Sequence, residues 1–344
     1  MMMIDFETHF GTQEWVEALS VNPGYPRLER SAEGRLRLCY RAETREPFPE
    51  TLLAKLLDIG QGRIAAMDSF GIDVAVLSLV APGMEQFDPG LGTKLARRAN
   101  DALAEAIDHH PRRFRGYAAL APRDPEAAVK ELERAVKELG MQGWKTHCNY
   151  GDSYLDEKQY WPILAKAEQL GVPIYLHPTV PRIPEFWTYG IALAGPPFGF
   201  GVETSLTAMR LILSGAFDAF PSLKVILGHY GEGLPFLMQR MDWLCERPHA
   251  MEDKDAVVSL QRKPSRYFRE NFMVTTSGNY LEAAFRCTRD ALGMHNIMLG
   301  TDYPFDNPVE CLAFLQGLGL SVQDEFALFE GNAAKVGIVA GEAV

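Results

Sequence analysis

Apolar positions along the chain fall into two alternating patterns. Short, nearly continuous apolar runs recur from one end to the other: MMIDFETHF from Met2, IDVAVLSLV from Ile72, FRGYAAL from Phe114, MQGWKTHC from Met141, VPIYLHP from Val172, LKVILGHY from Leu223, NFMVTTSG from Asn271 and HNIMLGTDYP from His295. Longer stretches of helical period separate them. In DPEAAVKELERAVKEL, Val129, Leu132, Val136 and Leu139 recur at three- and four-residue steps, as on one face of a helix. Asp124 is placed to cap that helix, with Pro125 in its first turn and Glu126 near the positive end of its dipole. DEKQYWPILAKAEQL and ETSLTAMRLILSGAF read the same way, Pro162 either kinking the former or marking its true start.

Strict alternation of strands and helices implies a parallel sheet, and runs such as VAVLSLV suit strands buried on both faces. The simplest architecture is α/β, a closed TIM-like (β/α)₈ barrel formed by residues 1–344 as a single domain. No GxGxxG follows the first run, as a doubly wound dinucleotide-binding sheet would require. Three stretches exceed normal connection lengths and are expected insertions, near 11–50, 179–201 and 247–269. The second is rich in aromatics, proline and glycine, which suits an ordered lid or a contact within a homodimer or homotetramer.

Composition narrows the function classes. Hydrophobic residues make up 47% and charged residues 23% of 344, the balance of a globular protein with a sizeable core rather than a disordered one. The net charge of −11 is spread along the chain and argues against nucleic acid as a partner. The five cysteines are far apart with no CxxC pair, so a reducing, cytoplasmic setting is expected. No secretory leader pattern is seen, and no apolar run reaches the ~18 residues that span a bilayer; no membrane partner is expected.

In a barrel of this kind, chemistry collects at the C-terminal ends of the strands. Glu7 and His9 lie two apart in the first run, so in a strand they share one side. The fourth run ends in Lys145 and His147, the fifth in His177, the sixth in His229 with Glu232 following, and the eighth in Asp302. Four of the eight histidines therefore sit at run ends. Glu, His, His and Asp converging on one mouth form a mixed nitrogen and oxygen set suited to one divalent ion such as Zn²⁺ or Mn²⁺.

The segments ETHF, YLHP, LGHYGEGLPFLMQRMD and GTDYPFDN resemble the amidohydrolase-related metal-dependent decarboxylases, the group that includes γ-resorcylate and 5-carboxyvanillate decarboxylases. The likeness runs from residue 2 to about 338 and also takes in ARRANDALAE and NFMVTTSGN. It implies a metal held by Glu7, His9, His177 and Asp302, and a small aromatic acid as substrate. His229 and Glu232 match the family's non-ligand pair after the sixth strand, and Arg240 matches an arginine on the following helix. WKTHCN departs from the resorcylate pattern and is closer to the aminocarboxymuconate-semialdehyde decarboxylase branch.

The resulting expectation is nonoxidative decarboxylation of an ortho-hydroxy aromatic acid. Asp302 protonates the ring carbon, His229 oriented by Glu232 polarises or deprotonates the phenol, and Arg240 holds that glutamate. Arg240, His147 and Phe305 are candidate substrate contacts. Two other functions are weighed. A hydrolase or hydratase of a lactone or muconate-type acid would use activated water, and a carboxylated Lys145 bridging two metals would favour it. A noncatalytic barrel is the third.

Overall fold

The computed structural model describes residues 1–243, 245–246 and 260–338. Each of the eight apolar runs contains one strand: Ile4–Phe10, Val74–Leu79, Phe114–Gly116, Trp144–His147, Ile174–His177, Val225–Leu227, Phe272–Thr275 and Ile297–Met298. These are called the first to eighth strands below. All pair in parallel, the first three in one sheet and the fourth to eighth in another, each beside its neighbour in sequence. Single parallel bridges, Ala118 with Trp144 and Thr8 with Tyr303, join the edges of the two sheets.

Period-two alternation sorts the strand residues into two cores. Ala75, Leu77, Ile174, Leu176, Val225, Leu227, Val274 and Ile297 join the large cluster that includes helix residues such as Leu103, Leu132 and Ile163. The residues between them, Val74, Val76, Tyr175, Ile226, Met273 and Met298, pack with Ile4 and Phe6 in a second, smaller cluster. Both faces of the strands are therefore buried, which is why the runs read as almost uninterrupted apolar sequence.

The helix Pro125–Lys137 starts as its sequence predicts, with the Asp124 carboxylate accepting from the Ala127 N–H at 3.1 Å. Pro162 marks a helix start rather than a kink: the helix is Trp161–Leu170, with proline in its first turn where a missing N–H costs nothing. The first expected insertion, near 11–50, contains the helix Gln13–Val21 and a three-stranded antiparallel sheet of Arg27–Arg30, Leu36–Cys39 and Arg45–Pro47. The second, 179–201, contains the 3₁₀ segment Pro184–Tyr189 and the short helix Ile191–Ala194, with Phe186 stacked on Phe198. Of the third, residues 247–259 lie outside the described residues, and its last part falls in the helix Pro264–Asn271. Among the described residues no helix is long and apolar enough to cross a membrane.

Candidate active site

The first strand decides where the site lies. Its register against the second strand slips by one residue between Asp5 and Thr8, as at a β-bulge. Before the slip Ile4 and Phe6 face the smaller cluster; after it Phe10 belongs to the large one. A one-residue slip exchanges the faces of everything that follows. Glu7 and His9 thereby point to the same interior as Phe6, instead of outward with the helices.

Four side chains meet there. Ligand-type atoms of Glu7, His9, His177 and Asp302 all lie within 4.8 Å of one another, with His9 Nε2 2.8 Å from Asp302 Oδ1 and His177 Nε2 3.9 Å from Glu7 Oε1. Their outer contacts fix them. Glu7 Oε2 accepts from the hydroxyls of Thr275, at 2.7 Å, and Ser277. Oε1 is buried without a hydrogen-bond partner, an expensive arrangement for a carboxylate unless a cation meets it. His177 Nδ1 lies 3.0 Å from the Pro178 carbonyl, so it carries the proton and leaves the Nε2 lone pair turned toward the cluster. Lys145 Nζ donates to the Leu79 carbonyl at 2.7 Å and meets His9 Nδ1 at 3.0 Å, which holds the imidazole from behind. The donor set, its orphaned oxygen and its held tautomer fit a divalent ion.

Beside this cluster His229 and Glu232 form a second unit, with Nδ1 2.7 Å from Glu232 Oε1 and Nε2 4.0 Å from Asp302 Oδ2. Burial disfavours charge on the His229 ring, but Glu232, then Glu7 and hydrogen bonding to Asp302 and Glu232, outweigh it and raise its pKa well above the ordinary value. Asp302 shows the reverse. Burial raises its pKa, but the hydrogen bonds and charges of His229 and His9 hold it far below the usual carboxylate range. These directions favour protonated His229 beside ionised Asp302.

The backbone here is strained. His229, Tyr230, Glu232 and Asp302 are the non-glycine residues with positive φ among the described residues, at 51°, 58°, 57° and 56°, a region L-residues enter rarely and at a cost of ~1–3 kcal/mol. Gly278 lets the His229 ring approach: a Cβ there would lie 2.5 Å from His229 Cδ2, and its φ is +68°. Gly278→Ala is expected to retain the metal while kcat drops ~100-fold, the cost of displacing a reacting group by about 1 Å; steady-state kinetics with elemental analysis check it.

A cavity of about 550 Å³ opens over these groups. Its walls include His177, His229, Glu232, Asp302 and Phe305, together with Tyr40, Glu46, Phe200 and Asp306. Phe305 is in the wall, its ring 5.8 Å from that of His9. His147 is not. It lies behind the wall, bonded through Nδ1 to Glu85 at 3.1 Å with its ring edge-on to His177 at 5.4 Å.

Arg240 departs furthest from expectation. It is expected to hold Glu232, but the chain between them runs through left-handed Gly233, the 3₁₀ segment Leu234–Leu237 and then the short helix Met238–Met241. Arg240 is exposed and makes no ion pair with Glu232 among the described residues. Sequence reasoning also missed residues that the structure brings in. Thr275 and Ser277 were visible as the polar tail of NFMVTTSG; Glu46, Tyr40 and Glu85 carried no signal, since they sit in connections without periodicity.

The comparisons agree in direction. Residues 51–336 match the model of a family described as amidohydrolase. A γ-resorcylate decarboxylase of Polaromonas is 41% identical over 299 residues, covering 83% of this chain and 89% of that protein. The crystal structure of 5-carboxyvanillate decarboxylase from Sphingomonas paucimobilis superposes with a TM-score of 0.86 at 34% identity, over 97% of this chain and 98% of the other. A dihydroxybenzoic acid decarboxylase from Polaromonas, solved with bound manganese and the inhibitor 2-nitroresorcinol, gives a TM-score of 0.82 at 36% identity, over 97% and 96%.

Proposed function

This chain belongs to the amidohydrolase family, and from that membership and the site geometry we propose that it is a metal-dependent, nonoxidative decarboxylase of a small aromatic acid bearing a hydroxyl ortho to its carboxylate. The observation that carries this reading is the buried Glu7, His9, His177 and Asp302 cluster lying beside the His229–Glu232 pair at one cavity. The two sheets are read as a closed (β/α)₈ barrel forming one domain, supported by the bridges at both sheet edges and the order of the strands.

Glu7, His9, His177 and Asp302 would hold one divalent ion, with manganese the first choice because the Polaromonas structure carries it. When bound, such an ion supplies Lewis acidity toward a carboxylate and its ortho oxygen. The residues do the rest. Decarboxylation breaks the bond between ring carbon and carboxylate; the electron pair stays on the ring carbon, which takes up a proton, and CO₂ leaves. His229, kept cationic by Glu232, stores that proton within 4.0 Å of Asp302. His229 would pass the proton to Asp302, which would deliver it to the ring carbon, and solvent would then restore the proton on His229.

Lys145 offers the hydrolase reading no support, because its amine is engaged by the Leu79 carbonyl and His9. The test is turnover in D₂O. Manganese-loaded protein given 2,6-dihydroxybenzoate is expected to release CO₂ and place deuterium on the carbon that carried the carboxylate, read by proton NMR. A panel of hydroxybenzoates that releases no CO₂, while lactones or muconate-type acids gain water, would overturn the proposal in favour of hydrolysis or hydration.

A further inference from the structure

The cavity over the cluster must admit an anionic acid, yet among the described residues that line it there is no lysine or arginine. The nearby cations are engaged elsewhere. Arg41 lies over the Trp187 ring at 4.2 Å and lines a separate cavity, and Lys145 is behind His9. The carboxylates of the site can be matched in turn. Glu7 and Asp302 answer a divalent ion, and Glu232 answers the His229 imidazolium. Two remain, Glu46 and Asp306.

Both leftover carboxylates are held the same way. Tyr40 donates its hydroxyl to Glu46 Oε2 at 3.2 Å, and Tyr280 donates to Asp306 Oδ2 at 3.3 Å. In each case the second carboxylate oxygen has no hydrogen bond among the described residues. The placement of Glu46 is a product of the first insertion: Tyr40 follows the strand Leu36–Cys39, and Glu46 is the middle residue of the strand Arg45–Pro47 paired with it.

Taking the decarboxylase reading as its basis, we propose that Glu46, positioned by Tyr40, is a specificity-determining residue that accepts a hydrogen bond from a hydroxyl or amino group on the edge of the aromatic ring remote from the carboxylate. The substrate class is then a monocarboxylic aromatic acid with a hydrogen-bond donor at that edge. An ionised carboxylate accepts and never donates, so a hydroxyl satisfies it, a methoxy group leaves it unpaired, and a second carboxylate on the ring is repelled with no cation to offset the charge. Burial pushes the Glu46 carboxyl up to about 7, with Tyr40 opposing the rise and the charge of Asp302 adding to it; the discrimination is therefore expected above that pH, where Glu46 is ionised, and is to be measured there. A site built around a hydroxyl discriminates strongly against the analogue that lacks it, because its own polar group is then stranded.

The experiment compares 2,4- and 2,5-dihydroxybenzoate, each against its O-methyl ether at the remote position, and against 2-hydroxybenzene-1,4-dicarboxylate, using manganese-loaded protein. Both kcat/KM for CO₂ release and calorimetric binding are measured. The wild type is expected to prefer at least one dihydroxy acid over its ether and over the diacid by ~10-fold or more. Glu46→Leu abolishes that preference, and Glu46→Gln, which keeps an acceptor oxygen, retains part of it; a residue of merely structural importance would lower all the acids together. If CO₂ is released but the ratio in Glu46→Leu stays within about twofold of wild type, the inference fails and the decarboxylase reading stands. If no acid is decarboxylated, that reading fails, and the binding ratios still decide whether Glu46 selects a donor.

Discussion

His177→Ala is expected to strip the site. Wild-type protein should carry about one divalent ion per chain, whereas the variant, dialysed identically, should carry almost none and release no measurable CO₂. The expectation rests on geometry. His177 Nε2 faces Glu7 Oε1 across 3.9 Å, and its Nδ1 is committed to the Pro178 carbonyl, so the ring presents a single lone pair to the cluster. Removing only an outer partner of a metal-bound histidine typically costs 10- to 100-fold in affinity, so removing the ring itself should cost at least ~100-fold. The readout need not be activity. Added manganese should raise the Tm of the wild type, since an ion at 1,000 times its Kd contributes ~4 kcal/mol to the folded state, and should raise that of His177→Ala much less, a ~100-fold loss of affinity leaving at most ~1.4 kcal/mol at the same concentration. Full metal retention with unchanged activity would take His177 out of the ligand set.

His229→Asn is expected to separate chemistry from metal binding. The variant should keep its ion and bind substrate while kcat falls by ~10²- to 10⁴-fold, the range for a lost general acid or base. Glu232→Gln should lower kcat in the same direction, because the 2.7 Å contact to Nδ1 is what keeps the imidazole charged and oriented. Since the two residues act as one unit, the double variant should be little worse than His229→Asn alone. Loss of the ion from His229→Asn would make His229 a ligand and require a different proton store.

The features legible in the sequence are those that depend on near neighbours. The eight strands follow from runs of apolar residues buried on both faces, and the helix from Asp124 follows from its cap and its three- and four-residue spacing. Glu7, His9, His177 and Asp302 could be picked out because each stands at or near the polar end of an apolar run. The pairing of Arg240 with Glu232 failed for the converse reason. Gly231 and Gly233 at φ of +77° and +81°, with Glu232 between them at 57°, turn the chain between the two residues.

Tertiary structure alone decided which way those residues point and what else joins them. The slip between Asp5 and Thr8 sets the face that Glu7 and His9 occupy, and it appears only when the second strand is laid alongside the first. The left-handed backbone at His229 and Asp302 is a conformation neither residue favours; the packing around it must hold it there. Glu46 reaches the cavity on a small antiparallel sheet whose residues carry no periodicity pointing to the site. Periodicity and capping are written within a few residues of chain, whereas parity at a bulge, backbone strain and the meeting of residue 46 with residue 302 depend on contacts between segments far apart in sequence, which no local pattern records.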